Sequence, residues 1–441
     1  MRGFRQSCIL PSVSRTYHIW TIGCQMNRAD SRCLASELES LGYTPTAEAY
    51  GSDLIILNTC VVRQQAEDKA YDRLAQLKGI KRKRPDTIIA LAGCLVGRKG
   101  DPSLAERFSF VDVFMGPSDT QPLIEYLRAS DSVTGCRPTV LPPSQDGQAV
   151  TAFVPVVLGC SHNCTFCVIP GRRGPERSRP KEEILEEIRQ LAHGGIREVT
   201  LLGQIVDRYG LDLGNGADLA ALLRDVSDID GIARIRFLTS HPNWVTDALL
   251  DAMVTLGKVC PCVELPVQAG NSDILNKMRR GYTADEYRGL VEKIRARIPG
   301  VAIHTDLIVG FPGETDEQFM DSFRLMSELE FDMAHIAKYS ERPTTVAASR
   351  FPDDVPEEEK ERRRVALEEL LASTCEKKNR GLIGRRVEVL VEEKGRNGKW
   401  HSRTPQNRLV FFEDTRDLRG RLVDVEIEQA RPFALFGRTT T

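Results

Sequence analysis

The chain has 441 residues, with 60 Lys and Arg against 62 Asp and Glu, a formal net charge of −2. That length suits about three domains and excludes a small disulfide-stapled module, while 41% hydrophobic and 28% charged residues exclude the disordered and membrane-embedded classes. The balanced charge also excludes a general basic footprint, so any nucleic-acid contact must be local.

Residues 1–15 form a basic N-terminal extension whose apolar stretch, Cys8–Leu10 with Val13, is too short for a signal-peptide core. No run approaches the ~18 apolar residues of a membrane span, so the chain is expected in the cytoplasm and off the membrane. Residues 16–130 alternate short Ile/Leu/Val-rich strands (Tyr17–Ile22, Leu54–Leu57, Thr87–Leu91, Val111–Phe114) with helical patterns at Ser31–Leu41 and Gln65–Leu77. This is the pattern of a doubly wound parallel-sheet domain. Residues 131–152 carry Gly135, Pro138, Pro142, Pro143 and Gly147 and read as a linker.

Residues 153–380 supply six more strands, Phe153–Leu158, Glu198–Leu202, Ile235–Leu238, Val263–Leu265, Ala302–Val309 and Ala334–Ala337, with helices such as Lys181–His193 and Thr283–Arg297 between them. The first of these helices has Pro180 at its start, Ile184, Leu185, Ile188 and Leu191 on one stripe, and Gly194 past its end. Six βα units predict an open or partial (βα)6 barrel. Pro356–Arg380 is a charged helix with a thin apolar stripe (Val365, Leu367, Leu370, Leu371) that connects domains. Residues 381–441, with strands at Val387–Val391, Arg408–Phe412 and Leu422–Ile427, form a small all-β barrel. Its 12 Lys/Arg against 9 Asp/Glu give it +3. The fold class is therefore α/β throughout, closed by an all-β module.

Twelve cysteines in a chain this long point, in a reducing compartment, to metal ligands, redox groups or core thiols. Cys160, Cys164 and Cys167 place three thiols within eight residues. Three thiolates with no obvious fourth suit a 4Fe-4S cluster in which each binds one iron and the last iron stays open. Zinc completed by His162, or unligated thiols, are the alternatives. Cys24, Cys60 and Cys94 each follow a predicted strand of the first domain, and the carboxyl ends of parallel strands converge. Gly23 and Gly93 let the backbone approach a bulky group there; three separately buried thiols are the alternative. Cys8, Cys33, Cys136, Cys260, Cys262 and Cys375 lack such placement and read as core thiols.

The strand ends of the second unit are polar and glycine-rich: Gly203-Gln204, Ser240-His241-Pro242, Pro266 to Gly270, Thr305-Asp306 through Gly310 to Glu314, and Tyr339 to Pro343. A lone His241 or Gln204 is usually structural, but together these ends read as a binding rim. Arg172, Arg173 and Arg177 follow the triple-cysteine loop and suit an anionic substrate, whereas Lys81 to Arg84 reads as a solvated helix end. Trp400, His401, Arg403, Arg408, Phe411 and Phe412 interleave aromatic and basic residues, as RNA-binding β-barrels do; an ordinary β-core with a charged surface is the alternative.

At these residues the chain resembles the radical S-adenosylmethionine (SAM) methylthiotransferases, from about Tyr17 to Gly437. The resemblance implies a SAM-binding 4Fe-4S cluster on Cys160, Cys164 and Cys167, and an auxiliary 4Fe-4S cluster on Cys24, Cys60 and Cys94. It also implies an RNA-binding TRAM domain carried on Arg403-Thr404 and Asn407-Arg408-Leu409-Val410. Gly23-Cys24-Gln25-Met26-Asn27, Asn58-Thr59-Cys60 with Val62-Arg63 and Ala66-Glu67, and Tyr339-Ser340-Glu341-Arg342-Pro343 resemble the branch that methylthiolates isopentenyladenosine beside the tRNA anticodon. The branches acting on a ribosomal-protein aspartate or on threonylcarbamoyladenosine usually carry Pro-Lys-Asn or Lys-Val-Asn after the first cysteine. Departures from the family pattern are Gly171 for a tyrosine, Ile205 and Asp207 for two asparagines, and Thr344 for a glycine.

The implied chemistry uses SAM as both methyl donor and radical source, with no catalytic residue beyond the cluster ligands. Phe166, Gly203, Gln204, Ser240, Gln268 and Asp306 are the expected SAM contacts. Arg172, Arg173, Arg177, Arg403, Asn407 and Arg408 are the expected contacts to the tRNA anticodon stem-loop. An electron donor such as flavodoxin or ferredoxin and a monomeric state are further expectations. The rivals are the two sister substrates and, in another class, a non-catalytic iron-sulfur RNA-binding protein.

Overall fold

The computed structural model describes residues 15–100, 102–130 and 149–440. The extension before residue 15, most of the linker, Cys8 and Cys136 lie outside the described residues. The chain divides into two compact units, one of Met1–Val61 with Gln65–Ser144 and one of Gln145–Thr441 with Val62–Gln64. Among the described residues no helix is long and apolar enough to cross a membrane.

In the first unit, strands β1 (Thr16–Thr21), β2 (Thr44–Pro45), β3 (Leu54–Thr59), β4 (Ile88–Gly93) and β5 (Val113–Met115) form one sheet in the order β2-β1-β3-β4-β5, parallel throughout. Every residue of β3 is buried, which is why Leu54-Ile55-Ile56-Leu57 is a continuous apolar run rather than an alternating one. The first helix, Gln25–Ser40, begins six residues before the apolar periodicity does, because its opening turn buries Met26 and Asn27 at the sheet end. Lys81, read as a solvated helix end, is instead anchored: its ammonium donates to both carboxylate oxygens of Asp112 at 2.8 and 2.9 Å.

The second unit continues with β6 (Thr151–Pro155), β7 (Val157–Leu158), β8 (Arg177–Ser178), β9 (Glu198–Leu202), β10 (Arg234–Leu238), β11 (Cys262–Glu264), β12 (Ala302–Val309) and β13 (Met333–Lys338). Two parallel three-stranded sheets, β6-β9-β10 and β11-β12-β13, meet where Ile235 bridges Val259. The result is an open barrel of six parallel strands. The expected strand Phe153–Leu158 splits in two, since β7 leaves the sheet to pair antiparallel with β8 and so closes the cysteine loop at its base. Ile184, Ile188 and Leu191 of the Lys181–His193 helix are buried in the core, each worth about 1.5–3 kcal/mol. In the Glu357–Arg380 helix the buried stripe is Leu367, Leu371 and Cys375, while Val365 faces out.

A closed five-stranded barrel follows, from β14 (Arg386–Lys394), β15 (Trp400–Arg403), β16 (Leu409–Glu413), β17 (Leu422–Arg431) and β18 (Ala434–Thr439), in the order β14-β15-β16-β18-β17. Gly437 hides β18 from sequence inspection, yet it is what lets β18 lie against β17: a Cβ there would collide with the Glu426 carbonyl. Buried arginines join this barrel to the open one. Arg236 bonds Glu198 (2.9 Å) and the carbonyls of Thr404 (2.8 Å) and Pro405 (2.7 Å), and Arg234 bonds the Arg403 carbonyl at 2.6 Å.

Candidate functional site

In the first unit, β1, β3 and β4 are adjacent and end level, with Thr21 paired to Asn58 and Thr59 to Gly93. Cys24, Cys60 and Cys94 therefore leave neighbouring strands at the same edge. Gly23 (φ +128) brings its backbone so close that a Cβ there would lie under 3 Å from Cys60 Cβ, and a Cβ on Gly93 (φ +93) would lie 2.6 Å from Asn58 Oδ1. A buried polar knot fixes this edge. Asn27 Nδ2 donates to the carbonyls of Ile22 (3.1 Å) and Thr59 (2.8 Å), Asn58 Nδ2 donates to the Asn27 carbonyl (2.9 Å), and Thr59 Oγ1 donates to the Ala92 carbonyl (2.6 Å). These bonds explain physically why asparagines flank the cysteines. Cys60 and Cys94 are buried and Cys24 is exposed, so the thiol set opens outward.

In the second unit, Gly159 (φ +70) starts the Cys160–Cys167 loop pressed against the backbone of Gly174 and Pro175. Cys160 and Cys167 both sense Cys164, and Cys167 senses Cys160. Burial pushes the Cys160 thiol up to about 11 and Cys167 to about 12, so only a bound cation's charge would deprotonate them near neutrality. Among the described residues no trio of His, Cys, Asp and Glu is arranged to hold a single metal ion. The His162 ring lies edge-on to His241 (centroids 4.8 Å apart) and Trp244 (5.4 Å), in an aromatic stack rather than a ligand set.

The strand-end residues line the same barrel end. Ser240 is buried, and among the described residues its Oγ has no hydrogen-bond partner. Gly203 admits no side chain, since a Cβ would meet Val206 Cα at 2.8 Å. Gln204 is half-buried, and Phe166 packs on the barrel core. Gln268 holds a left-handed backbone (φ +74) while its N–H donates to the Asp306 carbonyl at 2.8 Å. Burial raises Asp306, and burial with Asp306 beside it raises Glu264 to about 8, so the two carboxyls share less than two negative charges. Glu314, by contrast, serves structure: it accepts from Gly310 N–H (2.6 Å) and Arg363 (2.8 Å).

Asp207, which stands where the family has asparagine, accepts the His241 N–H at 3.0 and 3.3 Å, and burial pushes its carboxyl up to about 7. Thr344, standing for a glycine, has φ +74, a conformation that glycine tolerates and threonine resists.

The basic residues divide. Arg177 is exposed, Arg172 half-buried and Arg173 buried. Arg408 is spent on the junction between barrels, donating to Asp332 (2.7 Å) and Asn379 (2.6 Å), and Asn407 accepts from Arg403 at 3.2 Å. Trp400 and Phe412 are core residues of the C-terminal barrel. His401, Phe411 and Phe436 instead stand side by side on β15, β16 and β18, facing outward, with centroids 4.8 and 5.4 Å apart and the Arg431 guanidinium 5.2 Å from Phe436.

Sequence inspection missed Trp244, Glu264, Tyr282 and Arg280. Arg280 Nη1 donates to Cys164 Sγ at 3.3 Å. Its place just after the Ser272–Lys277 helix is that of an ordinary basic helix end, so its sequence context carried no signal.

Family models match three stretches: the Radical SAM superfamily over residues 154–326, an uncharacterised protein family, UPF0004, over 16–116, and the TRAM domain over 380–440. The tRNA-2-methylthio-N6-dimethylallyladenosine synthase of Roseiflexus sp. is 45% identical over 427 residues, covering 96% of this chain and 89% of its own. Those of Herpetosiphon aurantiacus (44%, covering 96% of each chain) and Dehalococcoides mccartyi (46%, covering 95% and 97%) are alike. Among solved structures, the radical SAM methyltransferase TsrM from Kitasatospora setae shares the fold, with TM-score 0.55 and 16% identity over 76% of this chain and 74% of that one. With relatives this similar over nearly its whole length, the chain belongs to the tRNA-2-methylthio-N6-dimethylallyladenosine synthase family of radical SAM methylthiotransferases.

Proposed function

We propose that this chain installs a methylthio group at C2 of N6-isopentenyladenosine next to the tRNA anticodon. The observation that carries the reading is identity of about 45% to synthases of that name across nearly the whole chain. Cys160, Cys164 and Cys167 would hold the family's SAM-binding 4Fe-4S cluster, and Cys24, Cys60 and Cys94 would hold the auxiliary one. When bound, these groups supply a 5′-deoxyadenosyl radical from SAM and the sulfur that is transferred.

The chain's own residues orient and enclose. Ser240 Oγ offers a buried hydrogen bond, Gly203 lets the strand end turn tightly against Val206 beside the cofactor, Gln204, Gln268 and Asp306 position its polar groups, and Phe166 packs on its adenine. The target base leaves its stack to enter the barrel end. Arg172, Arg173 and Arg177 meet its phosphates, and Arg403 with Asn407 faces the RNA beside the outward row of His401, Phe411 and Phe436, on which loop bases stack. A one-electron donor such as flavodoxin or ferredoxin serves a monomeric enzyme in the cytoplasm, where tRNA is found.

Nucleoside analysis of tRNA from a deletion strain tests the reading. The 2-methylthio form is expected to vanish and isopentenyladenosine to accumulate; unchanged 2-methylthio-isopentenyladenosine would end it. Cys164→Ala should abolish 5′-deoxyadenosine formation, whereas Cys60→Ala should spare some of it and lose sulfur transfer. Equal loss of cleavage in both variants would contradict the assignment of separate clusters.

A further inference from the structure

Two arginines act electrostatically on the Cys160–Cys167 loop, and they differ in how their charge is met. Arg208 is forked onto Glu176 by two 2.6 Å bonds, so its charge is balanced locally. Arg280 is only 5% exposed, and its Nε donates to Tyr282 Oη (3.0 Å), Nη2 to the Pro266 carbonyl (3.1 Å) and Nη1 to Cys164 Sγ (3.3 Å). No carboxylate among the described residues forms an ion pair with it; Asp306 senses its charge only at longer range. A guanidinium does not deprotonate in a protein, and burying it costs several kcal/mol unless an anion meets it. A Cys164 thiol is not an anion, whereas a Cys164 thiolate bound to iron is.

The placement is built rather than incidental. Tyr282 Oη is itself fixed between two backbone acceptors, its one proton within reach of the carbonyls of Val267 (2.9 Å) and Pro266 (3.1 Å). Thr165, the residue after Cys164, donates its N–H to the Met278 carbonyl (3.1 Å) and its hydroxyl to Lys277 (2.9 Å), which ties the cysteine loop to the segment carrying Arg280.

We propose that Arg280 is a positioning residue for the Cys160/Cys164/Cys167 cluster, whose guanidinium donates to the Cys164 thiolate and raises the cluster's reduction potential. The inference rests on the cluster assignment made above. Reduction adds one electron from the donor and moves no atom, so the site becomes more negative by one charge. A fixed positive charge hydrogen-bonded to a ligand sulfur favours that more negative state, and hydrogen bonds to sulfur and net charge are known levers on such potentials. Exclusion from water strengthens the effect.

The test uses the full chain with Cys24, Cys60 and Cys94 changed to Ala, so that one cluster remains, and reads its midpoint by an EPR-monitored redox titration. Arg280→Met is expected to lower the reduced-to-oxidised ratio at a fixed poise about tenfold, which is 59 mV for a one-electron couple. Arg280→Lys keeps the charge but not the fork, and about a threefold drop is expected. An unchanged midpoint in Arg280→Met with about four irons retained would overturn the inference. Should that variant hold no iron, wild-type protein labelled with nitrogen-15 in its arginine guanidinium groups decides. The reduced cluster should then show a nitrogen-15 coupling that is lost in Arg280→Lys, and no coupling in the wild type overturns the inference. No iron in the unsubstituted parent would instead remove the cluster assignment itself.

Discussion

Replacing Gly93 by alanine is expected to cost the protein one cluster and leave the other. Gly93 has φ +93, and its added methyl would lie 2.6 Å from Asn58 Oδ1 and 2.9 Å from Thr59 N, with the Thr59 carbonyl oxygen still nearer. Holding a non-glycine residue in such a backbone region costs about 1–3 kcal/mol. Forcing a methyl against backbone that is already hydrogen-bonded adds about 1–3 kcal/mol more, for a total near 4 kcal/mol. Gly42 is the control: it has φ +85 but nothing within 4 Å of its Cβ, so Gly42→Ala carries the conformational cost alone. The difference, about 2 kcal/mol in a domain of this size, amounts to about 10 °C in Tm. Thermal unfolding of the apo protein and iron with acid-labile sulfide after anaerobic reconstitution read both consequences. Iron should fall from about eight to about four per chain in Gly93→Ala and stay at about eight in Gly42→Ala. Equal Tm values and full iron in both variants would refute the idea that Gly93 exists to bring the three strand ends together.

Asp207, pushed up to about 7 by burial, holds a proton in the native state that the unfolded chain releases near pH 4. Its contribution is fully present below that pH and is lost as pH rises toward 7, so stability should fall across this window. Asp207→Asn should remove that slope and gain about 2 kcal/mol at pH 8 in denaturant unfolding; an unaltered pH profile would contradict the burial argument. Thr344→Gly relieves a left-handed threonine at φ +74 and should stabilise by about 1 kcal/mol, checked by Tm; a loss of stability would mean the strain is not there. Arg236→Met leaves buried Glu198 without its partner and frees the carbonyls of Thr404 and Pro405, at about 3–5 kcal/mol. Limited proteolysis should then release the C-terminal barrel near Gly381, and unchanged resistance would show that the junction is held elsewhere.

Where punctuation and periodicity coincide, the elements were legible to the residue. Pro180 and Gly194 bracket Lys181–His193, and strands Glu198–Leu202 and Ala302–Val309 end where their apolar runs end. Strands with weak patterns were not legible, as β15 is short and polar and β18 is interrupted by Gly437. The six cysteines stand out as candidate ligands because thiols at strand ends and in a tight loop carry a signal of their own.

Charge environment was not visible in the same way. Arg408 reads as an RNA contact in its local context, but it is neutralised by Asp332, 76 residues away. Arg280 reads as a helix end, but it meets Cys164, 116 residues away. A motif shows which atoms can hold a group, whereas the charge beside those atoms is set by contacts between distant segments. In an enzyme whose reaction starts with one electron, those distant contacts decide how readily the electron arrives. Arg280, with no sequence signature, would therefore bear on the first step through the charge it places beside Cys164.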